Sequence, residues 1–157
     1  MKKQNYYPME ELIPIISSFF DEGKNVIITA VGNSMAPFIR NQKDGIVLTA
    51  YMGQTLKVGD MAFYKRSDGH YVLHRIVDIA NDGSFTMLGD NQLTEETGIK
   101  QGQVIALPVA ILRGKKTLDL QSKKYQKYSK FWAKSVFFRR VHIKLFSLKT
   151  RLLKIMH

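Results

Sequence analysis

Short apolar stretches follow one another through the middle of this chain, and each is closed by a turn signal. They lie at 25–31, 45–48, 61–65, 71–79, 84–88 and 104–112. Between them stand Lys43-Asp44-Gly45, Val58-Gly59-Asp60, Ser67-Asp68-Gly69, Asn81-Asp82-Gly83 and Gly89-Asp90-Asn91. Glycine supplies left-handed backbone at no steric cost, and Asp and Asn side chains bond their own backbone, so such clusters reverse a chain. Strands this short cannot bury an apolar face singly and must assemble into one body. Hydrophobic residues make up 45% of the chain, enough for that body to pack a core. The pattern predicts a compact, mainly β fold.

Two flanks differ from it. Residues 9–22 place apolar side chains at 9, 12, 13, 16, 19 and 20, the spacing of an amphipathic helix, with Pro14 expected in its first turn and Gly23 as its C-terminal cap. From Lys124 onward Gly and Pro are absent. Tyr125, Tyr128, Trp132 and Val136 share one helical face. Val141, Leu145, Leu148, Leu152 and Ile155 form a second stripe about half a turn away. One straight helix cannot keep both stripes on one side, so a break near 137–140 is expected. The predicted division is an N-terminal helix at 1–24, a β domain at 25–114 and a basic amphipathic helical tail at 115–157.

The formal charge of +11 follows this division. Residues 1–114 hold 11 Lys/Arg and 12 Asp/Glu, whereas residues 115–157 hold 13 Lys/Arg and only Asp119 as an acid. A near-neutral body thus carries a cationic tail, unlike the uniformly basic surface of a nucleic-acid-binding domain. The chain has no cysteine, which excludes disulfides, thiol catalysis and cysteine-based metal sites. No stretch reaches the roughly 20 apolar residues that cross a bilayer. Lys2 and Lys3 are followed by Glu10, Glu11, Asp21 and Glu22, which does not suit a secretory leader. A cytoplasmic chain, free or held peripherally on a membrane face, is expected.

Ser34 follows a strand inside Gly32-Asn33-Ser34-Met35-Ala36-Pro37, a setting that can expose a hydroxyl beside free backbone N–H groups. A serine becomes nucleophilic only when a base takes its proton. No lysine stands three residues after Ser34, and His74, within Val72-Leu73-His74-Arg75-Ile76-Val77, is the natural candidate. The unperturbed histidine pKa of about 6.5 suits a base at neutral pH. His70 and His74 have the spacing of a metal pair on a helix. On a strand four residues span roughly 13 Å, too far for both to reach one ion, so neither metal nor cofactor is expected.

The Ser34 segment resembles the G-x-S-M-x-P nucleophile box of type I signal peptidases, a version of which the SOS-response repressor peptidases share. Lys57-Val58-Gly59-Asp60-Met61-Ala62-Phe63-Tyr64, Val72–Val77 and Leu88-Gly89-Asp90-Asn91 resemble, in the same order, the family's glycine–aspartate strand, its general-base box and its "GDN" box. Together they cover about residues 26–114. The histidine in the base box resembles the Ser–His branch, which includes endoplasmic-reticulum and sporulation-type enzymes.

This resemblance implies a signal-peptidase-like β fold and a serine endopeptidase acting on a peptide or leader. Ser34 would be its nucleophile and His74 its general base. An acidic residue would orient the histidine: Asp90 of the GDN box is favoured, with Glu96 the other candidate. The Ser34 N–H would belong to the oxyanion hole. The position two before the serine, a hydroxyl donor in some relatives, is Gly32 here, so a backbone donor or the Asn33 amide must substitute. Asn33, Met35 and Pro37 are assigned to oxyanion and substrate binding. The family's usual membrane anchor has no counterpart in the short, acidic segment 9–22. The cationic tail is expected either to contact an anionic membrane face or to pack on its own body or a partner. Nucleic-acid binding by the tail ranks lower. The alternative function is a peptide-binding or regulatory module of the same fold with weak catalysis. A self-cleaving repressor ranks last, because only about 25 residues precede the first strand and the base is histidine.

Overall fold

The computed structural model describes residues 7–155, with side chains described as far as Leu148 and at Arg151. Helix α1 (Met9–Asp21) precedes the strands β1 (Val26–Thr29), β2 (Asp44–Ala50), β3 (Met61–Lys65), β4 (Tyr71–Ile79), β5 (Phe85–Leu88), β6 (Glu96–Ile99), β7 (Val104–Arg113) and β8 (Lys116–Asp119). Helices α2 (Lys123–Lys134) and α3 (Val136–Ile155) follow. The fold is mainly β, as the turn spacing predicts. One antiparallel sheet runs in the order β1-β2-β7-β3-β4-β5-β6, with β8 also paired to β7. The early strand β2 and the late strand β7 pair over most of their length, which ties the two ends of the β region together.

Both sheet faces are covered by apolar side chains. On one, Met35, Ile39, Leu48, Met61, Phe63 and Ile111 pack with Tyr125 of α2. On the other, Ala62, Tyr64, Ile76, Phe85 and Met87 pack together. Strand alternation therefore sends His74, the register partner of Ala62, to the second face, and its neighbour Arg75 to the first.

Helix α1 ends as its sequence suggests. Gly23 takes φ +70°, its N–H donates to the Phe20 carbonyl, and the Lys24 N–H donates to the Phe19 carbonyl. These are the two bonds of a Schellman C-cap. Pro14, however, lies inside the helix and not in its first turn, because the helix begins at Met9. The expected tail boundary also moves. Gly114, at φ +59°, turns β7 back into β8, so residues 116–119 extend the sheet and are not part of a helical tail. The expected break in the tail falls at Ser135, between α2 and α3. Lys2 and Lys3, and the side chains of Leu152 and Ile155, lie outside the described residues.

A buried acid clamps the β2 start to the serine-bearing loop. Asp44 accepts from Arg40 Nη2 at 2.7 Å, from the Arg40 N–H at 2.9 Å and from Arg113 Nη2 at 2.8 Å. Burial alone would raise the Asp44 carboxyl, but these guanidinium bonds outweigh it and hold the pKa at about 2. A carboxyl depressed in the folded state contributes stability that is complete above its unfolded pKa and disappears as pH falls through the folded one. The contribution, on the order of 2 kcal/mol, is therefore lost between about pH 4 and pH 2. Asp44→Asn should lower the thermal midpoint at pH 7 and narrow its gap to the parent as pH approaches 2. A constant gap across that range would show that Asp44 carries no such linkage.

Candidate active site

The loop after β1 carries Ser34 out of the sheet and returns Met35 and Ile39 to the core. Asn41 holds its entry, because Asn41 Oδ1 accepts from the Gly32 N–H at 2.9 Å, and Gly32 takes φ +93°, a conformation glycine adopts readily. The loop includes a cis peptide bond between Ala36 and Pro37. The Ser34 side chain is half-buried, and its backbone N–H donates to no group among the described residues, as an oxyanion donor requires. Beside it opens a cleft of about 210 Å³ lined by apolar side chains that include Val31, Met35, Phe63 and Leu73. Met35 thus serves the core and the cleft wall together. Asn33 and Pro37 are exposed and line a separate cleft, of about 490 Å³, between the serine loop and α3.

The GDN turn fits directly against this loop. The Asn91 N–H donates to the Ser34 carbonyl at 2.8 Å. Arg75 is the register partner of Leu88, and Gly89 follows directly where β5 ends. A Cβ on Gly89 would lie 2.7 Å from the Ser34 carbonyl oxygen and would also strike the Gln92 side chain. The Asn91 hydrogen bond and this close approach hold the Ser34 backbone against the GDN turn. Gly89→Ala should therefore displace Ser34 from its seat against the GDN turn. The expected result is a lower thermal midpoint, since backbone must move to admit the methyl group, together with at least a tenfold loss of any fluorophosphonate labelling at Ser34. Unchanged labelling would show that this close approach does not position the serine.

His74 is only 2% exposed and has Glu96, from β6, against it. His74 Nδ1 lies 3.1 Å from Glu96 Oε1. Glu96 is itself held by Tyr64, whose hydroxyl donates to Oε2 at 2.9 Å, and by Arg66, whose Nε donates to Oε2 at 2.7 Å while its Nη2 donates to Oε1. Burial would raise the Glu96 carboxyl, but the Arg66 and Tyr64 bonds and the nearby histidine hold it below the ordinary value. It is therefore an anion at neutral pH. This fixes the tautomer: Nδ1 carries the hydrogen and donates to Glu96, which leaves Nε2 with a lone pair. Nε2 makes no hydrogen bond among the described residues and is not among the sealed polar atoms. Burial lowers the His74 pKa below 6.5, with Glu96 opposing, so the ring is neutral at pH 7 and available as a base.

Asp90 was favoured as the orienting acid, and the geometry gives that contact to Glu96. Asp90 is fully buried and accepts from Arg75 Nε at 2.8 Å and Arg75 Nη2 at 2.6 Å. His74 and Arg75 face opposite sides of β4, and Asp90 pairs with Arg75. The guanidinium continues outward: Nη1 donates to the Gly59 carbonyl at 2.9 Å, to the Tyr125 hydroxyl at 3.1 Å and to Ser129 Oγ. Gly59, at φ +103°, leaves room for α2, since a Cβ there would lie 3.2 Å from the Lys130 nitrogen. Sequence reasoning did not single out Tyr64, Arg66 or the Arg75 cluster. The alternation of β3 was the available signal for Tyr64, which stands two residues from Ala62 and so shares the face of His74. His70, at the edge of β4, is exposed and lies 3.2 Å from Asp68, apart from His74 in environment and role.

No family model matches the chain, and no curated protein matches it.

Proposed function

We propose that this chain is a serine endopeptidase resembling the Ser–His type I signal peptidases, with Ser34 as nucleophile, His74 as general base and Glu96 as the residue that orients it. The observation that supports this most is the Glu96 carboxylate on His74 Nδ1, itself clamped by Tyr64 and Arg66. Such a pair holds one tautomer and stabilises the imidazolium that forms when the ring takes the serine proton. In the proposed reaction Ser34 Oγ attacks the scissile carbonyl while His74 Nε2 takes its proton. The Ser34 N–H receives the developing oxyanion, and His74 returns the proton to the leaving amine. The apolar cleft beside Ser34 suits an uncharged side chain next to the cut, and substrate would enter extended, as a strand.

A second reading is a peptide-binding module that keeps this architecture without turnover. It is favoured by one feature: among the described residues no hydrogen bond joins Ser34 to His74. Catalytic hydrogen bonds are often loose before substrate arrives and tighten in the complex. A fluorophosphonate separates the two. Labelling at Ser34 that disappears in His74→Ala supports the peptidase. An unlabelled parent chain that binds peptides saturably and leaves them whole supports the module.

A further inference from the structure

Helix α2 is docked on the body: Tyr125, Ser129 and Trp132 are buried, rings stack from Phe38 through Tyr128 to Trp132, and Trp132 meets His142 of α3 edge-on, with Phe146 tilted against His142. Arg139 also turns inward, its Nη2 donating to the Trp132 carbonyl at 3.0 Å. These contacts occupy one side of α3. The opposite side carries Phe137, Phe138, Val141, Leu145 and Leu148, all exposed, with Phe137 at 72% and Leu145 at 61%. Phe131 of α2 extends the patch, 5.4 Å from Phe138. At helical spacing the α3 stripe covers roughly 100° of arc. Arg140, Lys144 and Arg151 are exposed along its border, and α3 contains no acidic residue. Among the described residues these three cations form no ion pair.

We propose that this face of α3 is a docking surface for an anionic lipid bilayer, lying in the headgroup region with its aromatic and leucine side chains inserted and its cations against lipid phosphates. Charge complementarity selects this occupant. A second copy of the chain would bring the two unpaired cationic borders together, whereas anionic headgroups neutralise them while the acyl boundary takes the apolar stripe. Among the described residues no helix is long and apolar enough to cross a membrane, so the contact is peripheral. Leu145 stands at the edge of the stripe nearest the body, where it also borders the cleft between α3 and the serine loop.

Vesicle flotation of the full chain tests this. Phosphatidylglycerol-containing vesicles should carry the protein upward at low salt and release it at high salt, and pure phosphatidylcholine vesicles should not carry it. Replacing Arg140, Lys144 and Arg151 with Gln should weaken binding about fivefold per cation, on the order of a hundredfold together. Phe137→Ser with Leu145→Ser should abolish it. Emission from Trp132, the single tryptophan, checks that each variant keeps α2 and α3 packed. Because the chain lacks cysteine, Leu148→Cys and Asn81→Cys each carry one dye, and only the first should blue-shift on anionic vesicles. Flotation indifferent to lipid charge overturns the proposal, as do well-packed variants that still bind, or failure to float with a dimer held by the stripe. Ser34→Ala must float like the parent, so this test is independent of the peptidase proposal.

Discussion

Ser34→Ala and His74→Ala should each abolish peptide cleavage, and Glu96→Gln should reduce turnover by about 10³–10⁴-fold while leaving the protein folded. Glutamine keeps the size and one acceptor of Glu96 but removes the charge that faces the imidazolium in the transition state. The pH profile separates this from simple misplacement. His74 must be neutral to act, so activity in the parent should rise with pH along a limb centred below 6.5, because burial lowers this histidine. Glu96 opposes that shift. Removing its charge should therefore move the acid limb to still lower pH even as the plateau falls. A Glu96→Gln chain with an unmoved limb, or with a limb at higher pH, would show that Glu96 does not face the working histidine. The comparison needs a cleavable peptide; probe labelling over the same pH range serves where none has been found.

The limb also explains what the chain gains from histidine. A lysine base must be stripped of its proton by deep burial, since its ordinary pKa is about 10.4. In the proposed mechanism His74 would need only a neutral ring in a fixed orientation, which Glu96, held by Tyr64 and Arg66, would supply. Arg66 has a second effect. It neutralises Glu96 in part and opposes histidine protonation by its own charge, which favours the neutral ring that the proposed role requires.

The β domain was legible because its turns are written in Gly, Asp and Asn, and strands β3 and β4 occupy the predicted residues. Two strands were not legible. In β6, Glu96-Thr97-Gly98-Ile99, a glycine at φ +75° interrupts the apolar alternation. In β8, Lys116–Asp119, the composition is that of an exposed segment. Both are specified by their partners, β5 and β7, and not by their own propensity. Without a strand signal over β6, the place of Glu96 in the sheet was also hidden. Its pairing with Met87 brings it to the face of Ile76 and His74, and nothing local in Glu95-Glu96 distinguishes one acid from the other. Asp90 was favoured as the aspartate of the GDN box, whereas the family's second acidic position holds a glutamate here, but the single-residue step from His74 to Arg75 changes sheet face. The tail divided similarly. Its two stripes were visible, yet only the structure gives one to the body and the other to solvent. Val136, placed with the first stripe, belongs among the exposed residues.

Asp90→Ala should be the most destabilising single change in the site region, costing about 3–5 kcal/mol, or roughly 10 °C in thermal midpoint for a chain of this size. The reason is the partner left behind. Arg75 is fully buried, and without the carboxylate its charge retains only neutral acceptors: the Gly59 carbonyl, Tyr125 and Ser129. The same guanidinium joins β4 to α2, so loosening it should free that helix from Gly59 and redden the Trp132 emission. Arg75→Met with Asp90→Leu removes both charges together and should recover most of the lost midpoint, because a buried pair replaced by apolar groups is often neutral. This outcome separates Asp90 from Glu96. If Asp90 oriented the histidine, the double variant would be stable and inactive with an altered acid limb. If it serves as the buried counter-ion of Arg75, activity should return with stability, and the limb should stay where the parent has it. A stable Asp90→Ala chain would remove this role for the pair and leave the docking of α2 to its aromatic contacts alone.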